Sequence, residues 1–407
     1  MENFMKQGVL NVGTLGHIDH GKTTLVKAIT HKWTDVHSES LKRNMTIKLG
    51  YADAIIRKCE QCQGSEAYTT SDKCGSCGGE AKPVLRISVL DAPGHETLMA
   101  TAIAVANMIN AILFVIAANE PCPMQQTKEH LMIINTLGIK DAIIVQTKVD
   151  LVSKEAAMKH YKQIKDFIKG SVIEDAPIVP VVSSHDINID IILEMIVKMA
   201  SQRNADTSSE PLMYIARSFD INKPGKEIGD ISGGVIGGTL VRGVFKIGDE
   251  IEIRPGISKS QDSKREQYEP AITVIKGISS GEEKLEEALP GGLIGVLTEL
   301  DPAFTKADSM VGNVAGHVGK LPPTSSTLNI KFHKLSRDDL PERAITVNEP
   351  LILSIATATV VGNVTRIKKD SIEVALRRPV CAEKGTKVAV MRNFMQRWKL
   401  SGYGVME

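Results

Sequence analysis

One short stretch near the amino terminus has residues whose types and spacing suit phosphate binding. GHIDHGKTT at residues 16–24 fits the pattern G-x-x-x-x-G-K-[ST], and it lies between an apolar run and a helical pattern, as this motif requires. Its glycines let backbone N–H groups turn around a diphosphate, Lys22 adds a charge at the β and γ phosphates, and the Thr23 hydroxyl can coordinate Mg²⁺. The candidate ligands of the predicted nucleotide site are Asp19, His20, Gly21, Lys22, Thr23 and Thr24.

A second motif concerns the base of that nucleotide. TKVD at residues 147–150 follows another buried strand, so it falls on the same edge of the predicted sheet. A fixed carboxylate at Asp150 can accept from the N1–H and the 2-amino group of guanine, and adenine has neither donor. Lys148 would lie along the base plane, and Ser183 and Ser184, after the next strand, would contact the guanine O6. The motif therefore favours guanine.

A third motif, DAPGH at residues 91–95, has the groups needed for hydrolysis. Asp91 can hold Mg²⁺ through water, and the Gly94 N–H can contact a γ-phosphate. His95 is the candidate for positioning the attacking water. Taken alone, a histidine after a glycine is more often an ordinary loop residue. Beside the other two motifs, it predicts a GTPase that hydrolyses GTP to GDP and phosphate.

The elements that must position these motifs alternate in type up to residue 204. Buried strands are predicted at 9–16, 84–94, 111–119, 141–150 and 176–184, and helices near 22–31, 96–108, 124–137, 154–169 and 187–200. Such alternation predicts an α/β domain with a parallel-rich sheet and helices on both faces. After the polar stretch 201–210, short β-type runs between Gly and Pro turns are typical of small β-barrels or sandwiches, with a second break at 320–327.

Composition and charge limit the class of protein. With 407 residues, of which 42% are hydrophobic, the chain can form two or three cores. The longest apolar run, 100–118, is interrupted by Asn107 and Asn110, and no secretory signal is visible, so we expect a cytoplasmic protein without a membrane segment. Residues 323–407 have 14 basic against 8 acidic residues, a difference of +6. This excess is either an electrostatic footprint for RNA or an ordinary solvated face.

Four cysteines form a pattern typical of a metal site. Cys59-x₂-Cys62 and Cys74-x₂-Cys77 are separated by eleven residues, and four thiolates at this spacing can surround one Zn²⁺ tetrahedrally. A structural zinc is the interpretation we favour, and empty thiols are the alternative. Between Arg57 and Lys82 there are four basic and four acidic residues, so the charge does not favour RNA binding by this segment.

Together these motifs resemble the translational GTPases, the superfamily of elongation factor Tu, in which two β-barrels follow a GTPase domain. Almost the whole chain is also similar to the gamma-subunit family of archaeal and eukaryotic translation initiation factor 2. The stretches that carry this similarity are IKLGYAD (47–53), NEPCP (119–123), QTKEHL (126–131), RSFDINKPG (217–225), GGVIGG (233–238), EIEIRPG (250–256) and PGGLIGV (290–296). The domains that we predict are a GTP-binding domain at 1–204 with a zinc-knuckle insertion at 57–82, and barrels at 205–322 and 323–407.

The resemblance implies a GTP-dependent carrier. It implies a heterotrimer with alpha and beta subunits that delivers initiator methionyl-tRNA to the small ribosomal subunit, with GTP hydrolysis switching the affinity for tRNA. It also implies slow intrinsic hydrolysis stimulated by a GTPase-activating partner, and an exchange factor if the source is eukaryotic. Thr46 would contact both Mg²⁺ and the γ-phosphate. Tyr51 would either stack on the terminal adenosine of the tRNA or be a buried aromatic in the barrel interface.

Three positions depart from the pattern of the family. Asn44 replaces the glycine typical of archaeal relatives, which puts in doubt a second Mg²⁺ site with Asp19, and Thr147 and Ser184 replace the usual Asn and Ala. Since a threonine can still hydrogen-bond the phosphate loop, we expect guanine binding to persist. The alternatives are a selenocysteine-type aminoacyl-tRNA elongation factor and the GTPase subunit of a sulfate-activating enzyme. RSFDINKPG and the paired cysteines argue against the first of these.

Overall fold

A computed structural model describes residues 6–34, 50–92, 99–223, 225, 227–259, 267–335, 341 and 343–407. The chain divides into two compact units, Met1–Asn204 and Ala205–Glu407. Among the described residues, the first unit has a hydrophobic core that includes buried side chains of β-strands and helices, and the second has a separate core for each of its two barrels.

The first unit is built on a mixed sheet of seven strands. Its strands are β1 (Leu10–Gly16), β2 (Gly50–Cys59), β3 (Tyr68–Thr69), β4 (Ala81–Asp91), β5 (Ala111–Ala117), β6 (Ala142–Thr147) and β7 (Ile178–Pro180). Their order in the sheet is β3-β2-β4-β1-β5-β6-β7. β4, β1, β5, β6 and β7 are parallel, whereas β2 runs antiparallel to both of its neighbours. β1, β5 and β6 are buried along their whole length, as expected for the centre of a parallel sheet covered on both faces.

Five α-helices accompany this sheet among the described residues. They are α1 (Lys22–Thr30), α2 (Met99–Ala106), α3 (Gln125–Leu137), α4 (Lys154–Ile168) and α5 (Ile189–Ser201). α1 begins directly after the phosphate loop. α3 ends at Gly138, which adopts the left-handed conformation common at helix C-termini, and the Ser153 side chain caps α4 by accepting from the Ala156 N–H. Short 3₁₀ turns at Val149–Leu151 and Ser183–His185 follow β6 and β7.

The second unit begins with a closed barrel of six strands. The strands from residue 212 to residue 317 are β8 (Leu212–Phe219), β9 (Val235–Arg242), β10 (Phe245–Lys246), β11 (Glu250–Ser258), β12 (Tyr268–Ser280), β13 (Glu283–Leu285), β14 (Glu287–Ala288), β15 (Leu293–Thr298) and β16 (Val314–His317). The ring has the order β11-β16-β8-β9-β15-β12 and is closed by the pairing of β11 with β12. Its side chains alternate between the core and solvent, as in β15, which makes this an ordinary filled barrel.

A second barrel of six strands follows. Its strands are β17 (Thr324–Lys334), β18 (Pro350–Ile355), β19 (Ala358–Ile367), β20 (Ser371–Cys381), β21 (Lys387–Phe394) and β22 (Arg397–Met406). They close in the order β17-β20-β19-β18-β21-β22. The two barrels pack against each other within the unit, since the buried Cys381 Sγ donates to Pro322 O at 3.0 Å and Arg242 pairs with Glu383.

The fold agrees with the predicted class, an α/β nucleotide-binding sheet followed by two all-β barrels. The five predicted strands and five predicted helices of the first unit are all present, with ends that differ by a few residues where they can be compared; positions 93–98 of the predicted strand 84–94 and helix 96–108 lie outside the described residues. The strand assignments from sequence missed β2 and β3, and the antiparallel pairing of β2 makes the sheet mixed. In the part of the chain that the structure describes, no helix has the length and apolar character needed to span a membrane.

Candidate functional site

The phosphate loop joins β1 to α1 through glycines that no other residue could replace without strain. Gly16 has φ +152°, and a Cβ built there would lie 2.2 Å from the carbonyl oxygen of Val115. Gly21 has φ +87° and lies immediately before α1. Both backbone conformations are ones that residues with a side chain rarely adopt. The loop therefore turns tightly at both of its ends, as the motif predicts.

Lys22 folds back over this loop. Its Nζ donates to Gly16 O at 2.9 Å and to His17 O at 2.6 Å. Burial lowers the pKa of Lys22 to about 8, although the carboxylates of Asp91 and Asp19 act in the opposite direction. A partly desolvated ammonium in this position is a strong partner for phosphate oxygens, because few water molecules compete with them.

Thr23 and Asp91 lie together at the start of α1, although they are far apart in sequence. Thr23 Oγ1 donates to Asp91 Oδ2 at 2.7 Å, and the other carboxylate oxygen accepts from Thr14 Oγ1 at 2.9 Å. Thr34 Oγ1 also donates to Asp91, at 3.2 Å. Burial raises the pKa of Asp91. A hydroxyl and a carboxylate oxygen are donors that Mg²⁺ prefers, and the ion would favour the charged carboxylate, so these residues fit a magnesium site.

His20 links the loop to the segment after β5. Its Nδ1 is 3.2 Å from Val115 O, and its Nε2 is 3.3 Å from Glu120 Oε2. Burial lowers the pKa of His20 to about 4, more strongly than the two oxygens raise it. The neutral ring can therefore donate to only one of these oxygens near pH 7.

Two side chains of α3 also contact the loop, and sequence reasoning did not single them out. Gly16 N–H donates to His130 Nδ1 at 2.9 Å, and Ile18 N–H donates to Gln126 Oε1 at 3.2 Å. Burial lowers the pKa of His130 to about 3, so the ring is a neutral acceptor. Two signals were available: both residues lie in QTKEHL (126–131), a stretch that carries the family resemblance, and they are four residues apart on a helix beside the sheet.

The predicted base-recognition residues follow β6 and β7, at the edge of the sheet where the phosphate loop follows β1. Thr147 Oγ1 donates to His20 O at 2.7 Å, which is the hydrogen bond to the phosphate loop that a threonine was expected to allow. Lys148 has φ +57°, and Asp150 is exposed in the turn after it. Ser183 Oγ is buried without a hydrogen-bond partner among the described residues, and Ser184 Oγ lies 2.9 Å from His185 Nδ1.

Other predicted residues are outside this cluster. Asn44, Thr46, Gly94 and His95 lie outside the described residues. Tyr51 is on β2, opposite Leu90 of β4, and is 50% exposed. Asp19 has φ +58° within the loop.

The four predicted metal ligands come together at the end of β2 and in the segment before β4. The Sγ atoms of Cys59, Cys62, Cys74 and Cys77 all lie within 4.8 Å of one another. Two of the pairs, Cys59 with Cys77 and Cys62 with Cys74, are 3.6 Å apart. Tetrahedral zinc with Zn–S bonds of about 2.3 Å places its sulfurs about 3.8 Å apart. The cluster therefore fits one zinc ion.

The ionisation of these thiols also fits a cation. The pKa of Cys74 is lowered to about 7, first by the backbone N–H of Cys77. The pKa of Cys62 is raised to about 12, first by its contact with the Cys77 side chain. Neighbouring thiolates repel one another, so four such groups ionise together only when a positive ion compensates their charge.

Comparisons with known proteins show the family of this chain. Residues 7–202 match the family model of the elongation factor Tu GTP binding domain, and residues 328–406 match that of initiation factor eIF2 gamma, C terminal. The chain is 48% identical to translation initiation factor 2 subunit gamma of Methanococcus maripaludis over 98% of both chains. It is also 48% identical to the subunit of the same name from Pyrococcus horikoshii, over 99% of this chain and 98% of that protein.

Solved structures show the same fold at lower identity. A bacterial selenocysteine-specific elongation factor has a TM-score of 0.74 and 23% identity, over 98% of this chain and 58% of that chain. Translation elongation factor SelB from Methanococcus maripaludis, solved with a GTP analogue, has a TM-score of 0.72 and 21% identity, over 99% of this chain and 80% of that chain. With its near-complete match to the relatives above, the chain belongs to the translational GTPases and, within them, to the family of translation initiation factor 2 gamma subunits.

Proposed function

We propose that this protein is the GTP-operated subunit that carries initiator methionyl-tRNA to the small ribosomal subunit, together with alpha and beta subunits. The observation that supports this most directly is the hydrogen bond between Thr23 and Asp91. It lies beside the buried Lys22, at a phosphate loop of the required shape. The names of the curated relatives supply the biological context. GTP would be the state that holds tRNA, and GDP the state that releases it.

The loop residues bind the phosphates in this proposal. Those residues are Asp19, His20, Gly21, Lys22, Thr23 and Thr24. Thr23 and Asp91 would hold Mg²⁺, with Thr46 as a further ligand, and the ion would neutralise charge between the β and γ phosphates. A second Mg²⁺ near Asp19 is part of the same proposal.

Guanine would be recognised after β6 and β7. Asp150 would accept from the two guanine donors, with Lys148 along the base plane and Ser183 and Ser184 near O6. The hydrogen bond from Thr147 to His20 O ties this region to the phosphate loop, so base and phosphates would bind to one connected frame.

Hydrolysis would use residues of two segments, one around Thr46 and one at Gly94 and His95. His95 would position the attacking water, while Gly94 and Thr46 would contact the γ-phosphate. We expect slow intrinsic turnover that a GTPase-activating partner accelerates, because a carrier has to retain GTP until its cargo is delivered. A nucleotide-exchange factor would act in a eukaryotic source.

The remaining expectations concern architecture and RNA. The proposed domains are residues 1–204, 205–322 and 323–407, and the bounds of the two barrels support this division. The knuckle within 57–82 would hold a structural zinc. Half-exposed Tyr51 would stack on the terminal adenosine, and the basic last barrel would follow the tRNA backbone. The cytoplasm would be the site of action.

Binding of initiator methionyl-tRNA tests the proposal. With the alpha and beta subunits present, filter binding should show retention at least about tenfold tighter with a non-hydrolysable GTP analogue than with GDP, a typical coupling between two sites. Elongator aminoacyl-tRNAs should bind more weakly, which separates this function from that of a selenocysteine-type elongation factor. Equal retention in both nucleotide states would overturn the switch.

A variant with altered base specificity, Asp150→Asn, tests whether tRNA binding depends on the bound nucleotide. Xanthine has a carbonyl where guanine has the 2-amino group, so Asp150→Asn should exchange the preferred base, with a loss of about 10⁴-fold for GTP. The variant should then retain tRNA with the xanthine nucleotide and not with GTP. Turnover stimulated by ATP and sulfate, without tRNA binding, would instead identify a sulfate-activating GTPase subunit.

A further inference from the structure

The side chains that hold the phosphate loop from outside come from α3. Gln126 and His130 are four residues apart, so they lie on the same side of that helix. Each accepts a hydrogen bond from a backbone N–H of the loop: Ile18 N–H to Gln126 Oε1 at 3.2 Å, and Gly16 N–H to His130 Nδ1 at 2.9 Å. Both of these loop N–H groups therefore point toward the helix.

Both polar groups of one peptide unit in the loop, its carbonyl and its N–H, are hydrogen-bonded. The unit between His17 and Ile18 has its carbonyl 2.6 Å from Lys22 Nζ and its N–H 3.2 Å from Gln126 Oε1. Rotation of this unit would break both hydrogen bonds at once. Its orientation determines where the following amides, which form the phosphate cradle, are aimed.

His130 is in an unfavourable position for a purely structural residue. The ring is 1% exposed, and its Nε2 is buried without a hydrogen-bond partner among the described residues. Since Nδ1 accepts from Gly16, the neutral ring carries its proton on Nε2. A buried unpaired N–H is costly, whereas a leucine in the same place would avoid that cost. The acceptor at Nδ1 is what the leucine would lack.

The geometry points to Gln126 and His130 as positioning residues that keep the phosphate loop in its nucleotide-binding shape and so set how long the nucleotide stays bound. This inference rests on the proposed nucleotide binding and adds residues that the motifs do not contain. Neither side chain needs to contact the nucleotide, because each acts through the backbone of the loop. Loss of either acceptor lets the loop reorganise, and the free energy of that reorganisation is lost from binding.

The test uses paired substitutions in the full-length protein. Gln126→Met and His130→Leu remove an acceptor and keep a similar volume, whereas His130→Asn keeps an acceptor oxygen near its present place without adding a charge. Lys128→Gln is the matched control, because Lys128 is exposed on the same helix. Stopped-flow fluorescence gives the dissociation and association rates of N-methylanthraniloyl-GDP. Thermal melting of the nucleotide-free proteins shows that each variant is folded.

We expect Gln126→Met and His130→Leu each to release GDP about fivefold to tenfold faster, as the loss of one hydrogen bond implies, with folded proteins and little change in association. The acceptor-retaining variant His130→Asn and the control Lys128→Gln should stay within about twofold of the unchanged protein. Wild-type release rates in both acceptor-deleting variants would overturn the inference, as would equal acceleration in all four variants. If the unchanged protein does not bind guanine nucleotides, the proposed function itself is wrong.

Discussion

The phosphate loop and the cysteine cluster lie in the same unit, but they are held in place by different means. Side chains of neighbouring elements bind the loop directly: His130, Gln126 and Thr147 each make a hydrogen bond to its backbone, none longer than 3.2 Å. The cluster consists of four thiols within 4.8 Å of one another, and Cys77 is exposed. The protein therefore preorganises the loop, whereas in the proposed function a zinc ion would hold the ligands of the cluster together.

The difference predicts that the two regions respond separately to change. They share a peripheral connection at the end of α1, where His31 Nε2 lies 2.9 Å from Thr70 Oγ1 in an exposed contact. Tyr68 of the knuckle packs on the core of the unit beside α5. A perturbation of the metal should loosen the knuckle and leave the loop intact. A perturbation of the buried histidines should loosen the loop and leave the knuckle intact.

Removal of the metal should have the largest effect. Structural zinc contributes about 10–16 kcal/mol in isolated zinc-finger peptides, and here the pairing of β2 with β4 supplies part of the order, so we expect a loss of about 4 kcal/mol. That loss corresponds to a fall of about 10 °C in the melting temperature of the first unit. Cys59→Ser combined with Cys74→Ser should abolish zinc in elemental analysis and increase hydrogen exchange across 59–79.

GDP binding should be measured in the same double variant, Cys59→Ser with Cys74→Ser. Since the loop is held by its own hydrogen bonds, its affinity for GDP in excess Mg²⁺ should stay within about twofold in the double variant. Cys122→Ser, a change at a cysteine outside the cluster, is the matched control and should retain one zinc per chain. Loss of GDP binding together with zinc would show that the two regions are not independent.

The features that could be predicted from sequence are those whose parts are local. The cysteine pairs and the phosphate-loop motif have their residues within a few positions, and buried apolar runs mark β1, β5 and β6. Asp91 was assigned to the Mg²⁺ site because it ends such a run. Thr23 and Asp91 were each assigned to Mg²⁺ from their own motifs, and the structure adds the hydrogen bond between them.

The missed features depend on packing between distant segments. β2 mixes polar and apolar residues because it lies toward the side of the sheet, with alternate residues buried, so it has no continuous apolar run. Gln126 and His130 resemble ordinary polar residues of a surface helix until α3 packs beside β1. The acceptors that hold the phosphate loop therefore could not be found from local pattern alone.

A pH titration of stability tests the buried histidines at the phosphate loop. Burial lowers the pKa of His130 to about 3 and that of His20 to about 4, whereas an unfolded histidine titrates near 6.5. Because the unfolded chain binds these protons first, stability should fall as the pH drops below about 6.5, by about 1.4 kcal/mol per pH unit for each ring. His17 and Lys22 face the same cluster and lower the pKa of His130 further.

The non-titrating variant His130→Asn isolates one ring. Its free energy of unfolding should fall less steeply than that of the unchanged protein, by up to about 1.4 kcal/mol per pH unit between pH 6 and pH 4. Urea unfolding can be followed by Trp33 alone in a Trp398→Phe background, since the chain has 2 tryptophans. Parallel pH profiles would mean that His130 is protonated in the folded state, contrary to its contact with Gly16 N–H.

The smallest expected effect is at Thr147, where the loop meets the base-recognition segment. Its Oγ1 donates to His20 O at 2.7 Å, so Thr147→Val removes one buried hydrogen bond and keeps the shape of the side chain. Calorimetry should show GDP affinity reduced about fivefold, the equivalent of about 1 kcal/mol. Thr147→Asn, which keeps a donor, should stay within about threefold of the unchanged protein, and neither variant should change the zinc content. If Thr147→Val binds GDP as well as the unchanged protein, then the α3 side chains alone suffice to hold the loop.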